Sequence, residues 1–262
     1  MPSRRWLSLV AAIVVTGVAV WFVAATLADR WEESREALSN ARPAWLVLAA
    51  VLAAAGMSWI AWTWREAARL TGGEMTSGQS LRWYVVGELG KYVPGTVWPV
   101  VGRAELARRG GVPRRAAYSG VALSLVAVYL ANGLVVAAFR AGPLVLLAAV
   151  ALAVPRWRPH ALLVVRYLPA WLLIATATWC VARAFGPAAW SDVAPAAVLS
   201  WLIGFLVIPA PGGVGVREAA FVAAVGLSGG VAATVAVVAR LVFVAVDALL
   251  AAGAAAWEVS RR

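Results

Sequence analysis

Five stretches of this chain run for more than twenty residues without a charged side chain: Trp6–Ala28, Pro43–Trp64, Ala116–Phe139, Val193–Val216 and Ala219–Ala239. A helix of roughly 20 apolar residues crosses the hydrocarbon core of a bilayer, so each run is a spanning-helix candidate. One such run fits a buried core helix; five in 262 residues do not. Composition agrees, with 63% hydrophobic and 13% charged residues against about 45–50% and about 25% in a soluble domain. Such a chain has too little polar surface to cover itself in water. The expected fold class is all-α: a polytopic helical protein of the inner or plasma membrane. Trp6–Ala28 follows Ser3-Arg4-Arg5. It reads as a retained first helix rather than a signal peptide, because it is long for an h-region and ends in a weak cleavage site.

The net charge of +11 does not point to nucleic acid, because the basic residues cluster between the apolar runs as in cytoplasmic loops. Residues 65–115 hold nine basic side chains against four acids, whereas Asp29–Arg42 holds four acids against three arginines. The positive-inside rule then puts both termini, the 65–115 region and the 155–160 loop in the cytoplasm, with 29–42 as an outward loop. Trp31 and Trp45 would flank the outer face, and Trp59, Trp62 and Trp64 the inner one. Arg108, Arg109, Arg114 and Arg115 read as surface residues meeting anionic headgroups. The lone Cys180 and lone His160 leave no disulfide framework and no metal-type spacing. No nucleophile–base set, phosphate loop or cofactor motif occurs, so no metal, cofactor or enzymatic activity is expected.

Six crossings are expected, at about 6–28, 44–64, 116–139, 141–154, 161–183 and 231–257. The apolar stretch 193–228 must then enter and leave on one side. Its centre, Pro209-Ala-Pro-Gly-Gly-Val-Gly215, cannot lie in a straight helix, so a re-entrant broken hairpin fits. Stretch 81–110, with Pro94-Gly95 and Trp98-Pro99, reads as its partner entering from the opposite side. The two also share an order of residues: Pro94-Gly95, Arg103, Glu105, Gly110-Gly111-Val112 and a long apolar helix; then Pro211-Gly212-Gly213, Arg217-Glu218, Gly229-Gly230-Val231 and a long apolar helix. This predicts a single membrane domain built as an inverted repeat, with halves at about 44–140 and 161–257. The hairpins break at Pro94, Gly95, Pro211, Gly212, Gly213 and Gly215. Paired broken segments in corresponding halves are the sequence pointer to a transporter's central site.

Charged residues at membrane depth are the candidate site. Glu88 and Lys91, three apart, share a helical face, as a structural ion pair or as ligands. Arg103 and Glu105 belong to the site or to the basic loop. Arg217 and Glu218 follow the glycine break directly. Arg240 and Asp247, two turns apart, pair with one another or face a polar cavity. In the binding reading Lys91, Arg103, Arg217 and Arg240 hold a phosphate. Glu88, Glu218 and Asp247 balance those charges, or meet a cationic headgroup or a proton.

Gly90-Lys91-Tyr92-Val93-Pro94-Gly95-Thr96-Val97-Trp98, Gly102-Arg103-Ala104-Glu105 and Pro211-Gly212-Gly213-Val214-Gly215-Val216-Arg217-Glu218-Ala219 resemble the flippase-like transmembrane family, typified by the membrane domain of lysylphosphatidylglycerol synthases. Arg240 with Asp247 resembles the family's closing helix. The resemblance implies a polytopic domain that moves a phospholipid or polyprenyl-linked lipid between leaflets. It does not carry over the soluble synthase domain's activity. Family members often carry a Glu-Arg pair and a later Asp in the helix after the first motif, and 119–133 has no charge here. That departure implies a different substrate or half the machinery. Two other readings stay open: a non-transporting membrane partner that positions a separate glycosyl- or aminoacyl-transferase, and a membrane-embedded enzyme on lipid-linked substrates.

Overall fold

The computed structural model describes residues 21–92, 97–142, 154–206 and 213–259. The expected breaks Pro94, Gly95, Pro211 and Gly212, most of the first apolar run and the expected 141–154 crossing lie outside the described residues. Every described element is helical. In order they are α1 (21–29), α2 (Trp31–Ser39), α3 (Pro43–Leu70), α4 (Ser77–Glu88) with a 3-10 turn Leu89–Tyr92, α5 (Trp98–Arg109), α6 (Arg114–Ala141), α7 (Arg158–Phe185), α8 (Trp190–Leu206), α9 (Val216–Ala224) and α10 (Gly229–Val259).

Among the described residues four helices are long and apolar enough to cross a membrane: Pro43–Leu70, Arg114–Arg140, Arg158–Phe185 and Gly229–Trp257. Their packing is inside-out relative to a soluble protein. Many buried positions of α3 are small (Ala49, Ala53, Ala61, Ala67 and Ala68), although Met57, Ile60 and Trp64 are buried as well, while Val47 and Val51, one turn apart, are exposed. Val126 and Leu130 on α6, and Leu241 and Leu249 on α10, are likewise exposed. Small residues where helices meet allow close backbone approach, the usual arrangement where lipid supplies no hydrophobic drive between helices.

The chain divides into two compact units. Among the described residues the first holds 21–53, 91–92, 174–206 and 213–245, and the second holds 54–90, 97–142, 154–173 and 246–259. The long helices α3, α7 and α10 contribute segments to both.

In the second unit, α4 starts in a capping box. Thr76 Oγ1 accepts from the Gln79 N–H at 3.2 Å, and Gln79 Oε1 accepts from the Thr76 N–H at 2.8 Å. Helix α4 packs on α5, and α5 on α6. Ser124 bonds Tyr167 at 2.7 Å, and one turn later Trp171 Nε1 donates to the Val128 carbonyl at 2.8 Å. Both residue numbers rise together, so α6 and α7 run parallel. The connection from 142 to 157 therefore starts at one end of the pair and finishes at the other. Trp59 Nε1 donates to the Arg166 carbonyl at 2.8 Å, within one turn of Pro169, which removes a helix donor there.

In the first unit, α8 packs on α9. The acidic 29–42 segment is not a loop as expected: it is mostly helix α2. Glu32 and Glu33 sit in its first turn, where the helix dipole favours acids. Ser34 Oγ donates to the Gly230 carbonyl at 3.2 Å, and Glu33 Oε2 accepts the Gly230 N–H at 3.2 Å. Those bonds fix α2 against the first turn of α10. A second correction concerns Trp64, expected at an interface. It is fully buried, and its ring packs 6.5 Å from that of Tyr84. Helix α3 runs past it to Leu70 because Glu66 gathers Arg65, Arg69 and Arg166 in ion pairs of 3.1–3.5 Å.

The close packing of α4 and α5 makes a contrast between two glycines. A Cβ on Gly87 would lie 2.4 Å from Arg103 Cγ and 3.0 Å from its backbone nitrogen, whereas a Cβ on Gly102 meets nothing nearer than 3.7 Å. Gly87→Ala is expected to lower stability by about 1–3 kcal/mol through overpacking. Gly102→Ala is expected to be neutral or stabilising by up to about 1 kcal/mol through helix propensity. Thermal unfolding of the two purified variants in detergent measures the difference.

Candidate functional site

The glycine turn of the first unit positions the candidate site. Gly213 and Gly215 hold φ of +66° and +77°, a region that side chains disfavour. A Cβ on Gly213 would also meet the Gly204 carbonyl oxygen at 3.2 Å, so the turn sits directly on α8. Gly215 is the N-cap of α9, which makes Val216 the first helical residue, Arg217 the second and Glu218 the third. A glutamate at that third position reaches back to the N-cap amide. Glu218 Oε2 accepts the Gly215 N–H at 2.6 Å. Its other oxygen, Oε1, accepts Arg240 Nη1 from α10 at 2.9 Å. Glu218 is buried and the Arg240 side chain is only 18% exposed.

Arg217 leaves the same turn in another direction. Its stem crosses α8 at Gly204, where an added Cβ would lie 3.1 Å from Arg217 Cβ. Its guanidinium carbon then rests 3.4 Å from the centre of the Trp201 ring and 5.2 Å from that of Phe243. The two rings meet edge to face at 5.3 Å. A small cavity of about 20 Å³ opens between these groups, bordered by Thr178, Ser200, Trp201, Arg217, Glu218 and Phe221. That volume is about what one water requires. Arg217, one carboxylate and two hydroxyls therefore border a water-sized space in apolar surroundings, and Arg240 is joined to it through Glu218. Such a set binds anions or moves a proton, and it holds no nucleophile. Among the described residues no group of three or more His, Cys, Asp or Glu side chains could hold a metal.

The second unit repeats part of this arrangement. Arg103, 4% exposed, lies on α5 with its guanidinium carbon 4.7 Å from the centre of the Tyr84 ring, and it crosses α4 at Gly87. Its Nε donates to the Pro99 carbonyl at 3.0 Å. In both units an aromatic residue stands three positions before a glycine, and the arginine that follows the break lies across the glycine and over the ring. Sequence reasoning named both arginines but missed Tyr84, Gly87, Trp201 and Gly204. The readable signal was Tyr84-Val-Val-Gly87 matched by Trp201-Leu-Ile-Gly204. It also passed over Ser124 and Asn132, buried eight residues apart on one face of α6. Neither amide atom of Asn132 has a hydrogen-bond partner among the described residues.

The other candidates separate. Glu105, expected beside Arg103, faces the surface. The hydrogen bond from Arg108, and then that from Arg109, holds its carboxyl down at about 2. Glu88 closes α4, and Lys91 stands in the 3-10 turn beyond it, so the two do not share one α-helical face. Asp247 is buried on α10. Arg240 bonds the carboxylate of Glu218, 22 residues away in sequence, a partner named by neither expected placement of Arg240, beside Asp247 or toward a polar cavity. No family model matches the chain, and no curated protein matches it.

The buried pair sets a test of this geometry. Removing one member of a buried ion pair costs about 3–5 kcal/mol, because the other charge is left without compensation. Arg240→Met is expected to destabilise by about that much. The double change Arg240→Met with Glu218→Gln should recover most of the loss, because Gln keeps an acceptor for the Gly215 N–H. A double-mutant cycle on thermal unfolding in detergent reads the coupling.

Proposed function

We propose that this chain is an integral membrane transporter of the flippase-like kind, which moves a lipid or lipid-linked molecule by its phosphate-bearing headgroup. In this reading the paired helices α4–α5 and α8–α9 are re-entrant hairpins related as an inverted repeat. Both termini face the cytoplasm across the inner membrane. Arg217, Arg240 and Glu218 receive the headgroup. Arg103 is the corresponding arginine of the other hairpin, and Lys91, Glu88 and Asp247 supply the surrounding charge.

The observation that carries the reading is a cavity bordered by Arg217 and by Glu218, itself paired with Arg240, behind a glycine turn in a chain whose long helices turn valine and leucine outward. Buried charges in apolar helices are costly and default to function. A guanidinium offers donors in a fork that matches phosphate oxygens. The cavity of about 20 Å³ holds no phosphate as it stands, so this is the closed form of such a site. The same closure supports a second reading, in which the protein positions a separate transferase in the membrane without transporting anything.

Transport separates the two. The purified protein is placed in vesicles with a fluorescently headgroup-labelled anionic phospholipid, and loss of fluorescence to an impermeant reductant reports the lipid reaching the outer leaflet. The wild type is expected to accelerate that loss. Arg217→Lys keeps the charge but loses the fork, and should slow it about tenfold, equivalent to about 1.4 kcal/mol; Arg217→Gln should slow it further. A wild-type rate equal to that of protein-free vesicles would leave the positioning reading in its place.

A further inference from the structure

The geometry points to Glu218 as a proton carrier that couples anion binding in this site to uptake of one proton. The inference rests on the transport reading and adds the coupling ion to it. Both carboxylate oxygens of Glu218 are committed, Oε2 to the Gly215 N–H at 2.6 Å and Oε1 to Arg240 Nη1 at 2.9 Å. The adjoining cavity has room for about one water, not for a phosphate beside an intact pair. Glu218 borders the cavity and Arg240 does not, so a phosphate oxygen that bonds Arg240 from this side takes the place of Glu218 Oε1.

Two anions held side by side with little water repel strongly. Adding a proton to Glu218 removes that repulsion. The neutral carboxyl keeps one oxygen on the Gly215 N–H and presents its O–H as a donor to the arriving phosphate. Arg240 exchanges one anion for another, so it stays paired throughout. Only an O–H bond forms, and the proton comes from solvent by way of the water-sized cavity that Glu218 borders.

The groups facing Glu218 fit this role. Arg240 faces it from α10, and Arg217 borders the same cavity from its own helix. Helix α7 contributes Thr178, and α8 contributes Ser200 and Trp201, none of which titrates near neutral pH. Loading with a phosphodiester monoanion and a proton adds no net charge to the site. Unloading restores the ion pair and returns the proton on the side where the lipid leaves. The lipid then moves with one proton, and a proton gradient can drive it.

The experiment is calorimetry on the full-length protein in detergent, titrated with dihexanoyl phosphatidylglycerol. This phosphodiester does not titrate near neutral pH, so any proton taken up belongs to the protein. Each titration is run in two buffers of different ionisation enthalpy, which yields the protons bound per ligand. The expected result for the wild type is about one proton per ligand, with affinity rising about tenfold for each unit that the pH falls, as linkage requires. Glu218→Gln, already neutral, should bind with no proton uptake and no slope. Wild-type binding with no proton uptake would overturn the coupling and leave the transport reading standing. The same uptake in wild type and Glu218→Gln would also overturn it, by placing the proton elsewhere. No binding by the wild type at any pH would overturn both. The wild-type buffer comparison decides the matter even if the variant fails to fold.

Discussion

The carboxylate of Glu218 joins the parts of the first unit. A turn between two helices in apolar surroundings leaves amide groups that neither helix satisfies, and lipid offers no water to do it. Glu218 supplies an acceptor to the Gly215 amide from the third position of α9. That solution brings a charge into a buried place, and a buried charge needs a counter-charge. Arg240 provides it and so ties α10 to the start of α9. The turn conformation, the helix start, the helix–helix contact and the polarity of the cavity thus follow from one side chain.

The α4–α5 and α8–α9 pairs share the arginine over the aromatic ring, but Glu105 is not buried as Glu218 is, and helix geometry explains the difference. Successive helical residues are about 100° apart around the axis. In Arg217-Glu218 the acid is one step from the arginine, so it stays near the inner face while the arginine points to Trp201. In Arg103-Ala104-Glu105 the acid is two steps away, about 200° round, on the opposite face from a buried arginine. There it meets Arg108 and Arg109 on its own helix at the surface. The first motif therefore sends its acid to the surface, whereas the second keeps its acid in a buried ion pair.

The apolar runs made the long helices legible, because absence of charge over twenty residues excludes most alternatives. The positive φ of Gly213 and Gly215 follows from their chemistry, because a residue without a Cβ reaches that region freely. Partners were harder to read. Asp247 was the nearer carboxylate to Arg240 in sequence, two turns along one helix, whereas Glu218 reaches it only once α9 folds against α10. Helix α2 was hidden because a short charged segment between apolar runs has the composition of a loop, and its docking bonds to Gly230 are long-range. Trp64 was misplaced because tryptophan favours interfaces on average. Its ring here finds Tyr84, a neighbour that no local pattern announces.

Magnitudes decide how a site this small opens. Two contacts close the cavity: the Glu218–Arg240 pair and the Arg217–Trp201 stack. A buried ion pair resists loss of one partner by about 3–5 kcal/mol, whereas a cation–π contact is worth about 0.5–2 kcal/mol. The stack is therefore the part that yields first. Gly204 eases that movement, since the arginine stem slides over a residue with no side chain. In the proposed transport cycle an arriving anion would then meet the Arg217 guanidinium before it reaches the Glu218–Arg240 pair, so Arg240 would stay paired until the anion is in place.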